Sequence, residues 1–373
     1  MNERRRFASK ARLERSALVL AIGTACSAFG MALVACDADS PSTPGGDAGV
    51  EATTPEIEAG AEWRPVLDDL DGALLSVWGT SERDVWAVGG ALGNGLDALV
   101  LRFDGTVWRR LAPGKTETFW WVHGTSPSDV WLVGEKGRIT HWDGAAFTEV
   151  ASGTGATLYG VWAAAPDDAW AVGGTPDQPS AANDVVLHWD GTSWKPEVLP
   201  ETKGVALFKV WGSSASDLYI VGEAGTVWHR SGDAWKREAE GVATGRLTTV
   251  AGCGPSEVYA VGGRDLLVSN GTEWKRAEID PLLLVNELNG VSCNGGRVVV
   301  VGGGSLKLRL VSGAWESDFG SEPYTDLHGA WADPSGAFWG AGGQFAASAR
   351  PGAKRQGVIA RHGVSTVPSV IAP

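Results

Sequence analysis

One pattern recurs seven times along the chain and governs every other reading of it. The clearest copies are SVWGTSERDVWAVGG from Ser76, WVHGTSPSDVWLVGE from Trp121, GVWAAAPDDAWAVGG from Gly160 and KVWGSSASDLYIVGE from Lys209. Weaker copies are TVAGCGPSEVYAVGG from Thr249, GVSCNGGRVVVVGGG from Gly290 and GAWADPSGAFWGAGG from Gly329. Set in register on Val77, Val122, Val161, Val210, Val250, Val291 and Ala330, the copies lie 45, 39, 49, 40, 41 and 39 residues apart. Such a period fits a supersecondary unit that cannot bury its apolar face alone and must stack on its neighbours.

Apolar alternation within each copy breaks at turn signals into four strands, a to d. The centre of strand b carries Trp86, Trp131, Trp170, Tyr219, Tyr259, Val299 and Trp339. Strand c ends at Asp104-Gly105, Asp143-Gly144, Asp190-Gly191, Ser231-Gly232, Asn270-Gly271 and Ser312-Gly313, where the pair supplies the positive φ of a tight hairpin. Strand d follows with Trp108, Phe147, Trp194, Trp235, Trp274 and Trp315. The seventh copy has no such aromatic after GVIARHG, but Gly60-Ala61-Glu62-Trp63-Arg64-Pro65-Val66 matches Gly105 to Leu111 in spacing and type. An N-terminal strand at about 61–66 should therefore pair with the last blade and close the ring, removing two free sheet edges. The expected fold is all-β, a seven-bladed propeller of four-stranded antiparallel blades over 61–363, with a C-terminal tail at 364–373.

The 52 glycines and 19 tryptophans of the 373-residue chain agree with many short strands and tight turns. Before the repeats, Arg4, Arg5, Arg6, Lys10, Arg12 and Arg15 precede the apolar stretch 16–35, which reads as a signal peptide spanning 1–35. Its end, Leu33-Val34-Ala35-Cys36, resembles the bacterial lipobox, and the resemblance implies that Cys36 carries the lipid. Residues 37–60 are acidic and rich in Pro, Gly, Ser and Thr, so 36–60 forms a lipidated Cys and a tether without a core of its own. Removing the signal, with six basic and two acidic residues, takes the formal charge from −13 to −17. Nucleic acid is then an unsuitable partner, and membrane contact is expected through the lipid anchor alone. The expected address is the cell envelope, exported and facing the periplasm or the outer surface.

The repeat resembles secreted bacterial propellers of the sialidase-like Asp-box and WD-repeat-like superfamilies over about residues 61–363. The Asp box, Ser-x-Asp-x-Gly-x-x-Trp, sits at the turn between strands c and d, where this chain has His188-Trp189-Asp190-Gly191-Thr192-Ser193-Trp194, with Asp and Gly one residue closer together. A sialidase-type enzyme would need a Tyr nucleophile, a carboxylate base and an arginine cluster. Tyr219 and Tyr259 stand at register Trp positions, leaving Tyr159 and Tyr324, and the repeat assigns no arginine triplet.

Tryptophans in the repeat register belong to the core, and a binding residue should break the register. Trp121 does so, standing where the other copies have Ser76, Gly160, Lys209, Thr249, Gly290 and Gly329. Asp84, Asp129, Asp168 and Asp217 read as turn caps on nearby backbone N–H groups. His141, His188 and His229 share one repeat position, which holds them apart, and neither HExxH nor CxxC spacing occurs, so neither a metal nor a cofactor is expected. Cys253 and Cys293 occupy nearly equivalent a-to-b turns of blades five and six, as a disulfide or as two small buried thiols.

A meander places a-to-b and c-to-d turns on one face, and b-to-c and d-to-a loops on the other. The b-to-c loops vary most, at 91–98, 175–184 and 344–356. Variable loops on a repeated scaffold carry binding. The binding candidates are Trp121, Tyr159, Phe208, Lys209 and His328 near the starts of a strands, and the basic Arg350, Lys354 and Arg355. The chain is expected to act as a monomeric, non-enzymatic scaffold for a protein, peptide or glycan. The alternatives are a glycan hydrolase or lyase at the channel mouth, and an assembly factor of an envelope complex.

Overall fold

The computed structural model describes residues 60–90, 97–114, 116–180, 183–201, 203–344 and 356–372. The signal, Cys36, the tether up to residue 59, and Arg350, Lys354 and Arg355 lie outside the described residues.

Seven sheets form, each meandering from an inner strand outward. Blade one runs Leu74–Ser81, Asp84–Gly89, Val100–Phe103 and Trp108–Arg110. The last blade pairs Leu327–Ala332, Phe338–Gly343 and Gly357–Gly363 with the N-terminal strand Glu62–Leu70. Its register, Glu62↔Gly363 and Trp63↔His362, closes the ring as the sequence predicts. The strand runs past residue 66 because two register shifts, after Pro65 and after Leu67, let it follow its partner as far as Leu70↔Gly357. Pro65 is tolerated because the strand is outermost and needs no N–H on its free side. Its first residues enter on the face of the short turns.

The core lies between blades rather than within them. One cluster joins Trp170, Val172 and Leu199 of blade three to Val210, Leu218 and Trp228 of blade four. The recurring Val-Trp-Gly explains itself here. A Cβ on Gly79 would lie 2.8 Å from the Trp331 ring, one on Gly212 2.8 Å from Trp162, and one on Gly252 2.5 Å from Trp211. The strand-a indole of one blade thus fills the hole left by the glycine of the next. Strand-b aromatics are buried equally deeply, with Trp86 and Trp339 at 0% exposure.

The c-to-d turns differ in detail from expectation. Gly105, Gly144, Gly191 and Gly271 take positive φ, but the preceding Asp or Asn does not. Its side chain instead accepts two backbone N–H bonds, as Asp104 does from Thr106 and Val107 and Asn270 from Thr272 and Glu273. The strand-b aspartates are not simple backbone caps either. Asp129 takes the hydroxyl of Thr125 and the His141 imidazole, the latter at 2.6 Å, while Asp217 takes Ser213 and, at 2.6 Å, His229. Each imidazole packs on its strand-b aromatic: His188 stacks on Trp170 at 4.2 Å and His229 on Tyr219 at 4.1 Å, while His141 lies tilted against Trp131 at 4.2 Å. His188 ties strand c to strand b, whereas the His141 and His229 sites also take in a strand-a hydroxyl through Asp129 and Asp217.

Cys253 and Cys293 are disulfide-bonded, with Cα atoms 5.0 Å apart, and clip blade five to blade six. The C-terminal segment, a plain tail by sequence, adds a fifth strand: Ile371–Ala372 pairs parallel with Trp108 and Arg109 at the edge of blade one. Val367 and Ile371 pack on the core beneath. Two residues of pairing leave no periodicity for sequence reasoning to find.

Candidate functional site

Each inner strand begins with the same irregularity. The pairing skips one residue between Leu74 and Ser76, Phe119 and Trp121, Leu158 and Gly160, Leu207 and Lys209, Leu288 and Gly290, and Leu327 and Gly329. In blade five Thr248 and Thr249 both face Val261. A β-bulge re-aims the extra side chain away from the sheet. Here it yields a ring of seven residues at the channel mouth: Leu75, Trp120, Tyr159, Phe208, Thr248, Asn289 and His328.

The ring divides into two arcs. On one, Thr248 Oγ1 donates to the Asn289 carbonyl at 3.0 Å, Asn289 Nδ2 to the Leu327 carbonyl at 3.0 Å, and His328 Nδ1 to the Leu75 carbonyl at 2.9 Å. These bonds stitch blades five, six, seven and one. On the other, Trp120 meets Tyr159 edge-on at 4.8 Å, and Tyr159 meets Phe208 at 5.3 Å. Trp120 also reaches His328 at 6.2 Å, although blades two and seven are not neighbours, so these rings converge on the axis. Tyr159 and Phe208 are buried, whereas Trp120 is only partly so.

One residue deeper lie Trp121 and Lys209. Lys209 is 3% exposed, donates from Nζ to the Tyr159 carbonyl at 2.8 Å, and holds Nζ 4.2 Å over the Trp121 ring. Burial without a carboxylate partner pushes its pKa down to about 7. Burial, followed by the nearby Lys209, pushes His328 down to about 4. The Tyr159 hydroxyl is raised, chiefly by burial.

The rim beside the aromatic arc is charged. Arg246 lies 5.2 Å over Phe208 and pairs with Asp177 and Glu223, each at 3.0 Å. Burial opposes its charge, but these two bonds outweigh it and raise its pKa. Asp177 belongs to the 175–184 loop, and its N–H donates to Glu223 at 2.9 Å, so this long loop is fastened to the mouth. Asp184, at the end of the same loop, has its carboxyl raised by burial and accepts from the Gly204 N–H at 2.6 Å.

The structure thus brings together Trp121, Tyr159, Phe208, Lys209 and His328. Trp120, Asp177, Glu223 and Arg246 escaped the sequence reading. Trp120 carried a legible signal, because it stands one residue before the register break and shares the alignment column of Tyr159, Phe208 and His328. The Arg246 pairings carried none, since they join residues 23 and 69 positions apart.

The fold and its mouth define a seven-bladed β-propeller. No protein-family model matches the chain, and no curated protein matches it. Among solved structures it is similar to a streptogramin B lyase, at 12% identity and a TM-score of 0.63 over 81% of this chain and 98% of that one. It is also similar to YCF48 from Cyanidioschyzon merolae, at 15% identity and 0.59 over 81% and 98%. The WD40 repeats of RRP9 match at 11% identity and 0.62 over 81% and 97%. At such identities the likeness shows the fold alone.

Proposed function

We propose that this protein is a lipid-anchored, non-enzymatic binding propeller of the cell envelope that takes its ligand at the channel mouth. The observation that carries the reading is the bulge ring: the same backbone device recurs in every blade, yet the side chains it presents differ, and the aromatic ones are contiguous. Strand-b aromatics fill their column in six of seven copies, whereas this column carries Leu75, Thr248, Asn289 and His328 in the other copies. The long 175–184 loop fastened beside the aromatic arc supplies a variable wall. The N-terminal strand enters on the opposite face, which leaves the mouth clear of the chain's entry into the propeller.

Two measurements test this. Cys36→Ser is expected to move the protein from the membrane fraction to the soluble fraction; retention on membranes refutes the anchor. For the mouth, detergent-solubilised full-length protein is used to capture ligands from envelope extract beside Trp120→Ala. Loss of this partly buried aromatic should cut recovery about tenfold or more, the scale of an interface anchor. Equal recovery by the variant places binding elsewhere.

A further inference from the structure

Lys209 and Trp120 each keep a hydrogen-bond donor to spare at the mouth. The Lys209 ammonium has three N–H groups and, among the described residues, one hydrogen-bonded acceptor, the Tyr159 carbonyl, plus the Trp121 π face. The Trp120 Nε1–H is buried and has no acceptor among the described residues. Both groups lie against Tyr159, one at its carbonyl and one at its ring. A buried donor without an acceptor is destabilising; Trp120 shares that lack with the core indoles of Trp86, Trp108, Trp131, Trp142 and Trp194, so the buried Lys209 ammonium is what sets the mouth apart. The contrast with Lys307 is instructive. That lysine is buried too, but its Nζ is surrounded by the Ser305 carbonyl and hydroxyl and the carbonyls of Ser321 and Pro323. Lys307 is a finished structural knot, and Lys209 is not.

The other charges at the mouth sharpen the point. Arg246 is satisfied by Asp177 and Glu223, and those carboxylates are in turn occupied by it. His328 Nδ1 faces the Leu75 carbonyl, and the ring is held neutral by its burial beside Lys209. The Lys209 ammonium is thus left with donors to spare beneath an aromatic mouth whose Trp120 also keeps an unpaired indole N–H.

We infer that the mouth receives a carboxylate group, whose oxygens accept hydrogen bonds from Lys209 Nζ and Trp120 Nε1 while the attached apolar or planar body lies against the aromatic arc. The inference rests on the mouth being the binding site and adds the chemistry of what enters. A carboxylate has acceptor lone pairs only, so it satisfies both donors without presenting a donor of its own. Charge-assisted bonds of this kind are the stronger class. Trp120, the more exposed ring, must give way for entry, and Tyr159 and Phe208 form the fixed wall. Because Lys209 is readily neutralised when the site is empty and must be charged when it is filled, binding above neutral pH takes up a proton.

The test uses full-length protein with benzoate, N-acetylphenylalanine and glucuronate as separate arms, against benzamide, N-acetylphenylalaninamide and methyl glucoside as their neutral counterparts. The Trp120 indole resonance in ¹⁵N-labelled protein, assigned with Trp120→Phe, reports binding, and titration calorimetry in two buffers at pH 8 reports proton uptake. At least one acid should shift that resonance and bind about tenfold or more tightly than its neutral counterpart, with proton uptake, and Lys209→Met should abolish the preference. Lys209→Met removes charge but keeps length, and its thermal midpoint checks that it folds. Which arm binds identifies the source of the carboxylate. Equal binding of acid and neutral probes, undiminished binding to Lys209→Met, or no binding of any acid overturns the inference. If Trp120→Ala still loses its envelope ligand in those cases, the mouth stands as the binding site and only its ligand chemistry is refuted.

Discussion

Asp318→Ala should destabilise the protein by about 3–5 kcal/mol, the range for removing one partner of a buried ion pair. Asp318 accepts from Trp63 Nε1 at 3.0 Å and from Arg309 Nε at 2.6 Å and Nη2 at 3.0 Å. Trp63 belongs to the N-terminal strand, whereas Asp318 and Arg309 belong to blade six, so this carboxylate holds the closing strand to the neighbouring blade. Burial disfavours its charge, but the Arg309 guanidinium outweighs burial and keeps its pKa below the usual range. Removing it leaves a guanidinium whose side chain is 10% exposed with only the more distant Glu316, at 3.8 Å, and leaves the Trp63 indole unpaired. The same device occurs without the arginine where Trp235 donates to Glu197 at 3.1 Å and Trp274 to Glu238 at 3.0 Å. Glu197→Ala should therefore cost only about 1 kcal/mol, the net worth of one hydrogen bond. A 4 kcal/mol loss in a domain of this size lowers Tm by about 6 °C. Hydrogen exchange should also quicken across 62–70, because the strand is released first. Equal losses for Asp318→Ala and Glu197→Ala would show that ring closure does not depend on this carboxylate.

That network also marks the limit of what sequence could reveal. The repeat fixes blade number, strand order and closure because every blade solves one packing problem, and Trp63 was recognisable by standing at a strand-d position without a blade of its own. Its partner was not recognisable. Residues three past the strand-d aromatic are Leu111, Val150, Glu197, Glu238, Ala277 and Asp318, so the indole–carboxylate bond is present at some boundaries and absent at others. Trp108 and Trp194, which face blades carrying Val66 and Val150 at that position, keep indole N–H groups without acceptors among the described residues. The mouth is intermediate. Periodicity located the starts of the a strands, but the bulge displaces the side chain by one residue. That is why Trp121 attracted notice as the register break while Trp120, the residue facing the axis, did not. Arc and rim contacts depend on which blade follows which around a closed ring, and a linear pattern does not encode them.

Stability should fall steeply between pH 6.5 and 4, more than carboxylates alone explain, because three histidines are held neutral in the fold. The Ala163 N–H donates to His123 Nδ1 at 3.1 Å, so that nitrogen bears no proton. Burial carries His123 down to about 4 against the pull of Asp129, and carries His328 to about 4 with help from Lys209. His362, 4% exposed, is lowered by burial and then by Arg309. In the unfolded chain each titrates near 6.5. The folded values lie below the unfolded ones, so the stabilisation is complete above pH 6.5 and is lost as pH falls toward 4. His229 has the opposite sense: burial resists its charge, but Glu238 and Asp217 prevail and raise its pKa. Its contribution is complete below 6.5 and is lost as pH rises through its folded value, so it cannot offset the other three at pH 5. Unfolding there should take up two to three protons, a slope of about 3 kcal/mol per pH unit. His123→Asn keeps an acceptor near the Nδ1 position and does not titrate, so it should remove about 1.4 kcal/mol per pH unit of that slope. Denaturant midpoints measured from pH 4.5 to 7.5 decide the matter, and a flat profile between 5 and 6.5 would contradict neutral histidines. The slope also bears on the mouth, where His328 and Lys209 are neighbours. A bound carboxylate would favour their charged forms, so saturating acid ligand should protect the fold more at pH 5.5 than at pH 8.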